Sequence, residues 1–324
     1  MGLTIRLGST WIERLNTKHI GSFVIFGINC IVMALRFLTC LMALGLIAFS
    51  ACKKDEETPS PPPTDGPKLI FKFAFDEDQE RLDNFGNPAV LPSGHAAQTP
   101  VFNSISANYI ELIPNALTWL GEGEVVYVGE ETTAGGDLAI AIDQAKIVAE
   151  GETFFAIPLA QVAAGTYNFI RVSLSYQNYD IAFRASGLDL TGTLASFIGY
   201  NNYITDFVIN TQSQTVNANK LQGYWAFETL GQVLSGQAPA GATTVVNPLW
   251  DTAPVPAGSC VVTGAFASPF EISGNETEDV VVTLSVSVNN SFEWQEVTAD
   301  GLYEPQAGEQ VVDMGVRGLI PVVE

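Results

Sequence analysis

The chain is poor in the side chains that carry most redox, metal and nucleophilic chemistry. Its 324 residues include two histidines, four cysteines and four methionines. Beyond residue 52 only His95, Met314 and Cys260 remain, so no cluster of soft ligands can hold copper. With no G-x-S-x-G companion, His95 in the turn-rich Pro92-Ser93-Gly94-His95 reads as a solvated loop histidine, which argues against a histidine-based triad. Cys260 has no intramolecular disulfide partner, and in the strand-like run Cys260 to Thr263 it reads as a small buried hydrophobe. Basic residues are also scarce, at 14 against 35 acidic ones. Arg6, Arg14, Lys18, Arg36 and Glu13 all precede Cys52, so the chain from there onward has a net charge of −24. Such a field repels phosphate backbones and anionic headgroups and argues against nucleic acid as a partner. Only 15% of residues are charged, below the roughly 25% of an average soluble chain, which implies a surface rich in Asn, Gln, Ser, Thr and Gly.

What is present begins with an apolar leader. Met33 to Arg36 forms a short basic segment, Phe37 to Ala48 an apolar one, and Phe49-Ser50-Ala51-Cys52 a small-residue cleavage site ending in cysteine. This resembles the bacterial lipobox, with Phe49 where that family most often has Leu. The resemblance implies signal cleavage and lipidation of Cys52, with acyl chains anchoring the protein and no membrane helix needed. Residues 33–51 are then the signal peptide and 1–32 an upstream extension or long n-region, with Met1 and Met33 both open as starts. The alternative is a membrane helix with Arg36 at its middle, at about 2.5–3.5 kcal/mol. Residues 52–67 form a tether. Its first part, Lys53, Lys54, Asp55, Glu56 and Glu57, resembles the surface-export signal of Bacteroidota-type lipoproteins and implies an outer-membrane protein facing the cell exterior. The Pro-rich remainder is a polyproline-prone spacer.

From residue 68 the apolar pattern has period two. Leu69, Phe71, Phe73 and Phe75 share one face of the first run, and Val280 to Val288 alternate in the same way. Further strands are expected near 108–113, 124–128, 138–142, 153–157, 167–176, 179–184, 203–209, 222–228, 260–266, 292–297 and 316–320. Leu159 to Ala163 offers the best short helix. No long 3.6-residue stripe exists, so residues 68–324 predict an all-β antiparallel sandwich, with a candidate division into two lobes near residue 186. Gly165-Thr166-Tyr167 and the strand after it resemble an element of transthyretin-like secreted sandwiches, which implies a turn conformation at Gly165 and a sheet-edge role for Tyr167. Through the leader, Phe71-Lys72-Phe73, Tyr109-Ile110-Glu111-Leu112 and this element, the chain resembles an uncharacterised lipoprotein family of Bacteroidota. It is less similar to the copper-handling MbnP partner proteins of methanobactin systems.

Candidate sites are few. Asp76, Asp78 and Glu80 alternate and could offer oxygens to calcium. Arg81 stands where an EF-hand needs glycine, and Asn87 where it needs glutamate. Glycan-binding sandwiches set aromatic rings beside amide and carboxylate groups. Two segments fit: Tyr176-Gln177-Asn178-Tyr179-Asp180, with Tyr176 and Tyr179 as platforms, and Tyr200-Asn201-Asn202-Tyr203. Asp251-Thr252-Ala253 resembles a short O-glycosylation acceptor. The leading expectation is a non-enzymatic lipoprotein binding a glycan or an envelope protein. A hydrolase using paired carboxylates and a metal-handling protein are the alternatives.

Overall fold

The computed structural model describes residues 66–83, 86–238 and 259–324, and within them period-two alternation becomes strand after strand. In chain order these are β1 (Lys68–Asp76), β2 (His95–Gln98), β3 (Val101–Ile113), β4 (Glu124–Val128), β5 (Glu131–Thr132), β6 (Ala139–Ala141), β7 (Thr153–Pro158), β8 (Gly165–Ala185) and β9 (Leu188–Phe197). They continue as β10 (Asn201–Val208), β11 (Ser213–Leu221), β12 (Tyr224–Thr229), β13 (Gln232–Gln237), β14 (Cys260–Ile272), β15 (Val280–Ser287), β16 (Phe292–Gln295), β17 (Gln310–Met314) and β18 (Leu319–Val323). The protein is an all-β sandwich of mainly antiparallel sheets. The expected helix at Leu159 to Ala163 is instead a single 3₁₀ turn, Leu159–Gln161, because Val162 returns to extended backbone.

One long sheet, β13-β12-β9-β8-β3-β4, organises the molecule, with β14 also pairing to β8. β8 has 21 residues and spans about 70 Å if straight. β14 runs beside it up to Leu174 and β9 from Tyr176 onward, while β3 flanks it on the other side. The first core lies between the first half of this sheet and a second sheet, β18-β15-β1-β7. There β1 and β15 pair in parallel, setting Phe71 beside Val282 and Phe73 beside Leu284, all fully buried. Each such side chain contributes roughly 1.5–3 kcal/mol. The sheets approach closely at Gly264, where a Cβ would lie 2.6 Å from the Leu319 carbonyl oxygen.

The second half of the long sheet is covered on both faces. Tyr176, Phe197 and Tyr224 pack beneath the sheet β11-β10-β6-β5. Tyr179, Ile181 and Leu194 face Phe292 and Trp294 of the sheet β17-β16-β2. The change from one core to the next therefore falls within β8 near Ser175, whereas Ser186 and Gly187 form the β8–β9 hairpin turn with φ of 52° and 75°. Both central residues with positive φ is the type I′ geometry that suits strand twist.

Candidate functional site

Cross-strand pairing on the second half of the long sheet produces a graded face. Tyr176, Phe197 and Tyr224 form one apolar row, and Asn178, Ala195 and Ala226 the next. The third row is polar: Asp180, Thr193 and Glu228, contributed by β8, β9 and β12. Where the core gives way to this row, a groove of about 320 Å³ opens, walled by the turn carrying Asn210 and Thr211 and by the β12–β13 turn at Leu230 and Gly231.

The carboxylates in the groove are held in place. Glu228 is buried and accepts the backbone N–H groups of Asn210 at 2.9 Å, Thr211 at 2.9 Å and Gln212 at 3.0 Å, together with the Thr211 hydroxyl. Burial alone would raise its pKa, but these bonds outweigh burial and keep the carboxyl below the usual glutamate range. Glu228 is therefore an ionised structural acceptor with no proton to give. Asp180 accepts the Thr193 hydroxyl at 2.6 Å and the Asn103 amide at 3.3 Å. At the rim, Leu230 has a φ of 51° and is 77% exposed. A β-turn with leucine in the left-handed region costs roughly 1–2 kcal/mol. Gly192 is required behind the groove, since a Cβ there would lie 2.1 Å from the Phe227 ring. Hydroxyls and amide groups beside fixed negative charge suit a neutral, hydroxyl-rich ligand and repel an anion.

The residues picked out for glycan contact lie elsewhere or are occupied. Tyr176 and Tyr179 are buried, so neither presents a ring to solvent; burial pushes the Tyr176 phenol up to about 12. Alternation in a sheet covered on both faces puts both in cores, which corrects the expectation of two exposed platforms. In the second segment, Tyr200 donates to Glu131 at 2.7 Å, Asn201 to the Leu138 carbonyl and buried Asn202 to the Gly199 carbonyl. The first two bonds fasten the β5–β6 segment to the start of β10, and the third closes the turn before it. Tyr203 is half-buried within β10.

Asp76 turns its Oδ1 onto the backbone N–H groups of Asp78 and Gln79, both at 2.9 Å. Asp78 and Glu80 are exposed. The three thus frame a turn after β1, and among the described residues no three His, Cys, Asp or Glu side chains converge as a metal site. Cys52, the Lys53 to Glu57 run and Asp251-Thr252-Ala253 lie outside the described residues. Gly165 has no positive φ, while buried Tyr167 donates its hydroxyl to the Ala163 carbonyl at 2.7 Å.

His95 is not a solvated loop residue. Its Nδ1 lies 2.6 Å from Glu293 Oε1. Glu293 also receives Arg81 at 2.8 Å and Arg317 at 3.1 Å, and Arg317 bridges on to Asp313 at 2.6 Å. Burial would raise the Glu293 pKa, but the hydrogen bonds from His95 and Arg81 and the charges of Arg317 and Arg81 hold it below the usual range; Asp313, more deeply desolvated, stays above its ordinary value. This network locks β16 and β17 to the segments after β1 and before β18. Its five members are spread from residue 81 to residue 317, and no local motif announces them.

No family model matches the sequence, and neither does any curated protein or solved structure.

Proposed function

We propose that this chain is a lipid-anchored envelope protein, displayed on the outer membrane through Cys52, whose sandwich is a non-enzymatic recognition module for a neutral glycan. The observation that carries the reading is the groove over Asp180, Thr193 and Glu228. Its lining sets two carboxylates, four threonine oxygens and the Asn210 amide around a polyhydroxyl ligand, and residues 210–212 are already fastened to Glu228, so little ordering entropy is lost. The anchor rests on the lipobox-like end of the leader and the exterior location on the lysine and acidic residues that follow it.

A carboxylate hydrolase is the less favoured reading. Such an enzyme needs an acid with a raised pKa facing the substrate, beside a second carboxylate. Here Glu111 and Asp313 have raised pKa values, but each is buried against an arginine, and the groove glutamate is shifted the other way. A glycan array probed with fluorescently labelled full-length protein tests the proposal. Retention on neutral oligosaccharides that is lost with Asp180→Ala supports it. Retention only on anionic glycans, or equal retention of the variant, counts against the groove.

A further inference from the structure

At one end of the first sandwich, residues 114–123 form a loop that is pinned at its base and apolar at its tip. The base is a buried ion pair: Glu111 and Arg171 lie opposite each other on β3 and β8, 3.6 Å apart. Glu111 accepts the N–H groups of Gly121 at 2.9 Å and Gly123 at 2.7 Å. Arg171 donates to the Thr118 carbonyl at 2.6 Å, and Asn168 to the Pro114 carbonyl at 2.7 Å. Leu120 is buried against Tyr109 and Val261, and a Cβ on Gly123 would lie 2.5 Å from the Leu112 carbonyl oxygen. Two neighbours of Leu120 nevertheless point outward. Leu117 is 89% exposed and Trp119 is 54% exposed. Leu120 alone closes over the core, and exposed large apolar groups on a loop fixed in this way mark a contact surface.

The position of this end says what the loop meets. The chain enters the domain here: the Pro67 carbonyl accepts the Leu159 N–H at 2.8 Å, and Lys68 pairs with Pro158. Four residues on, Ala163 donates to Glu124, immediately after the loop. The loop and the first strand thus emerge side by side, with 13 residues between Cys52 and Gly66, a reach of at most about 50 Å. Indole combines an apolar body with one polar N–H and favours the headgroup boundary of a bilayer. No basic residue lies between 114 and 123, and Glu122 is exposed, so the loop suits a zwitterionic surface better than an anionic one.

We infer that residues 114–123 are a membrane-docking loop that inserts Leu117 and Trp119 into the lipid surface on the tether side, orienting the domain. The orientation rests on the lipid-anchor reading; the insertion itself does not. Two side chains give a weak, reversible contact that adds to covalent acyl chains rather than replacing them.

The test reconstitutes full-length protein, purified from expressing cells, into phosphatidylcholine vesicles with plain or brominated acyl chains. Tryptophan emission should fall in the brominated vesicles. That difference should shrink by at least twofold in Trp119→Phe and in Leu117→Asp, both of which should melt at the wild-type temperature. Equal emission in the two vesicle types, or undiminished quenching in Trp119→Phe, overturns docking. If lipid has no effect on Trp119, yet Leu117→Asp releases a protein that copurifies in stoichiometric amount, the loop binds a protein and the lipid inference is wrong. The mass of the same preparation separates the two readings. Acylated protein without Trp119 quenching refutes docking alone, and Trp119 quenching in protein lacking acyl chains refutes the anchor alone.

Discussion

Replacing Glu228 by Gln tests the wall of the groove most sharply, because the shape of the side chain is kept while its charge is removed. The carboxylate accepts three backbone N–H groups and one hydroxyl from residues 210–212. An amide keeps one acceptor oxygen and turns an NH₂ group toward these donors. Bonds to a charged acceptor contribute about 1.5–3 kcal/mol each in net terms, and an unpaired buried donor costs about 1–3 kcal/mol. Partial compensation by water at the groove edge makes a total loss of about 2–3 kcal/mol reasonable. For a domain of this size that corresponds to a fall in Tm of roughly 4–10 °C. The pH dependence carries a definite sign. The folded-state pKa lies below the unfolded value of about 4.3, so this stabilisation is fully present above the unfolded pKa and is lost as pH falls through the folded one. Urea unfolding of wild type and Glu228→Gln at pH 7 should show the full difference, and the gap should narrow in the acid range. A Tm change under 1 °C at pH 7, or a gap that widens in acid, would refute the account of this carboxylate as the fastener of residues 210–212.

Other substitutions probe the remaining parts of the account. Leu230→Asn, which accepts the φ of 51° readily, should stabilise the protein by about 1 kcal/mol in urea unfolding, and a loss of stability would contradict the strain assigned there. Glu293→Ala leaves Arg81 without a carboxylate partner and Arg317 with Asp313 alone, and should cost about 3–5 kcal/mol, with part of the loss recovered in a double variant that adds Arg81→Met. Because Glu293 is also held below its ordinary pKa, its contribution too should fade on acidification, an effect read as a Tm difference shrinking below about pH 4. Gly192→Ala must displace the Phe227 ring and should destabilise by about 1–3 kcal/mol; a neutral result would show that the ring can swing away.

The strands that build the first core were plain in the sequence because each has one buried face. Leu69, Phe71 and Phe73 alternate with half-buried residues, and on the partner strand Val282, Leu284 and Val286 alternate with the small polar Thr283, Ser285 and Ser287, so fold class follows from the period of the sequence. The second half of the long sheet was harder to read. β8 appears as two strands, 167–176 and 179–184, because Gln177 and Asn178 put polar groups on successive faces. In the structure Gln177 donates to the Met314 carbonyl and Asn178 to that of Ile209, so both polar groups are satisfied by other sheets. β9 is not among the expected strands, since Thr191-Gly192-Thr193 breaks its apolar alternation; the glycine there admits the Phe227 ring. β11, with Asn217 and Asn219 near its middle, lacks an apolar alternation because it is the outer strand of its sheet.

The groove was legible only in fragments. Asp180 lies inside the segment Tyr176 to Asp180 that suits glycan contact, but in the sequence the tyrosines beside it carry the stronger signal. Thr193 and Glu228 had no signal at all, since only the pairing of β8, β9 and β12 brings them together across nearly fifty residues. The abundance of acid is clearer in hindsight. Glu111, Glu228 and Glu309 each accept backbone N–H groups of loops, so part of the negative charge that reads as solubility in the sequence serves to fix turns.

The most direct test of the central claim is saturation-transfer difference NMR on neutral oligosaccharides mixed with full-length protein, beside the Asp180→Ala variant. Transfer to the sugar ring protons is expected from the wild-type protein, and its loss from the variant while that variant remains folded. Transfer that persists in the variant, or its absence from every neutral oligosaccharide tried, would contradict the groove as a glycan site.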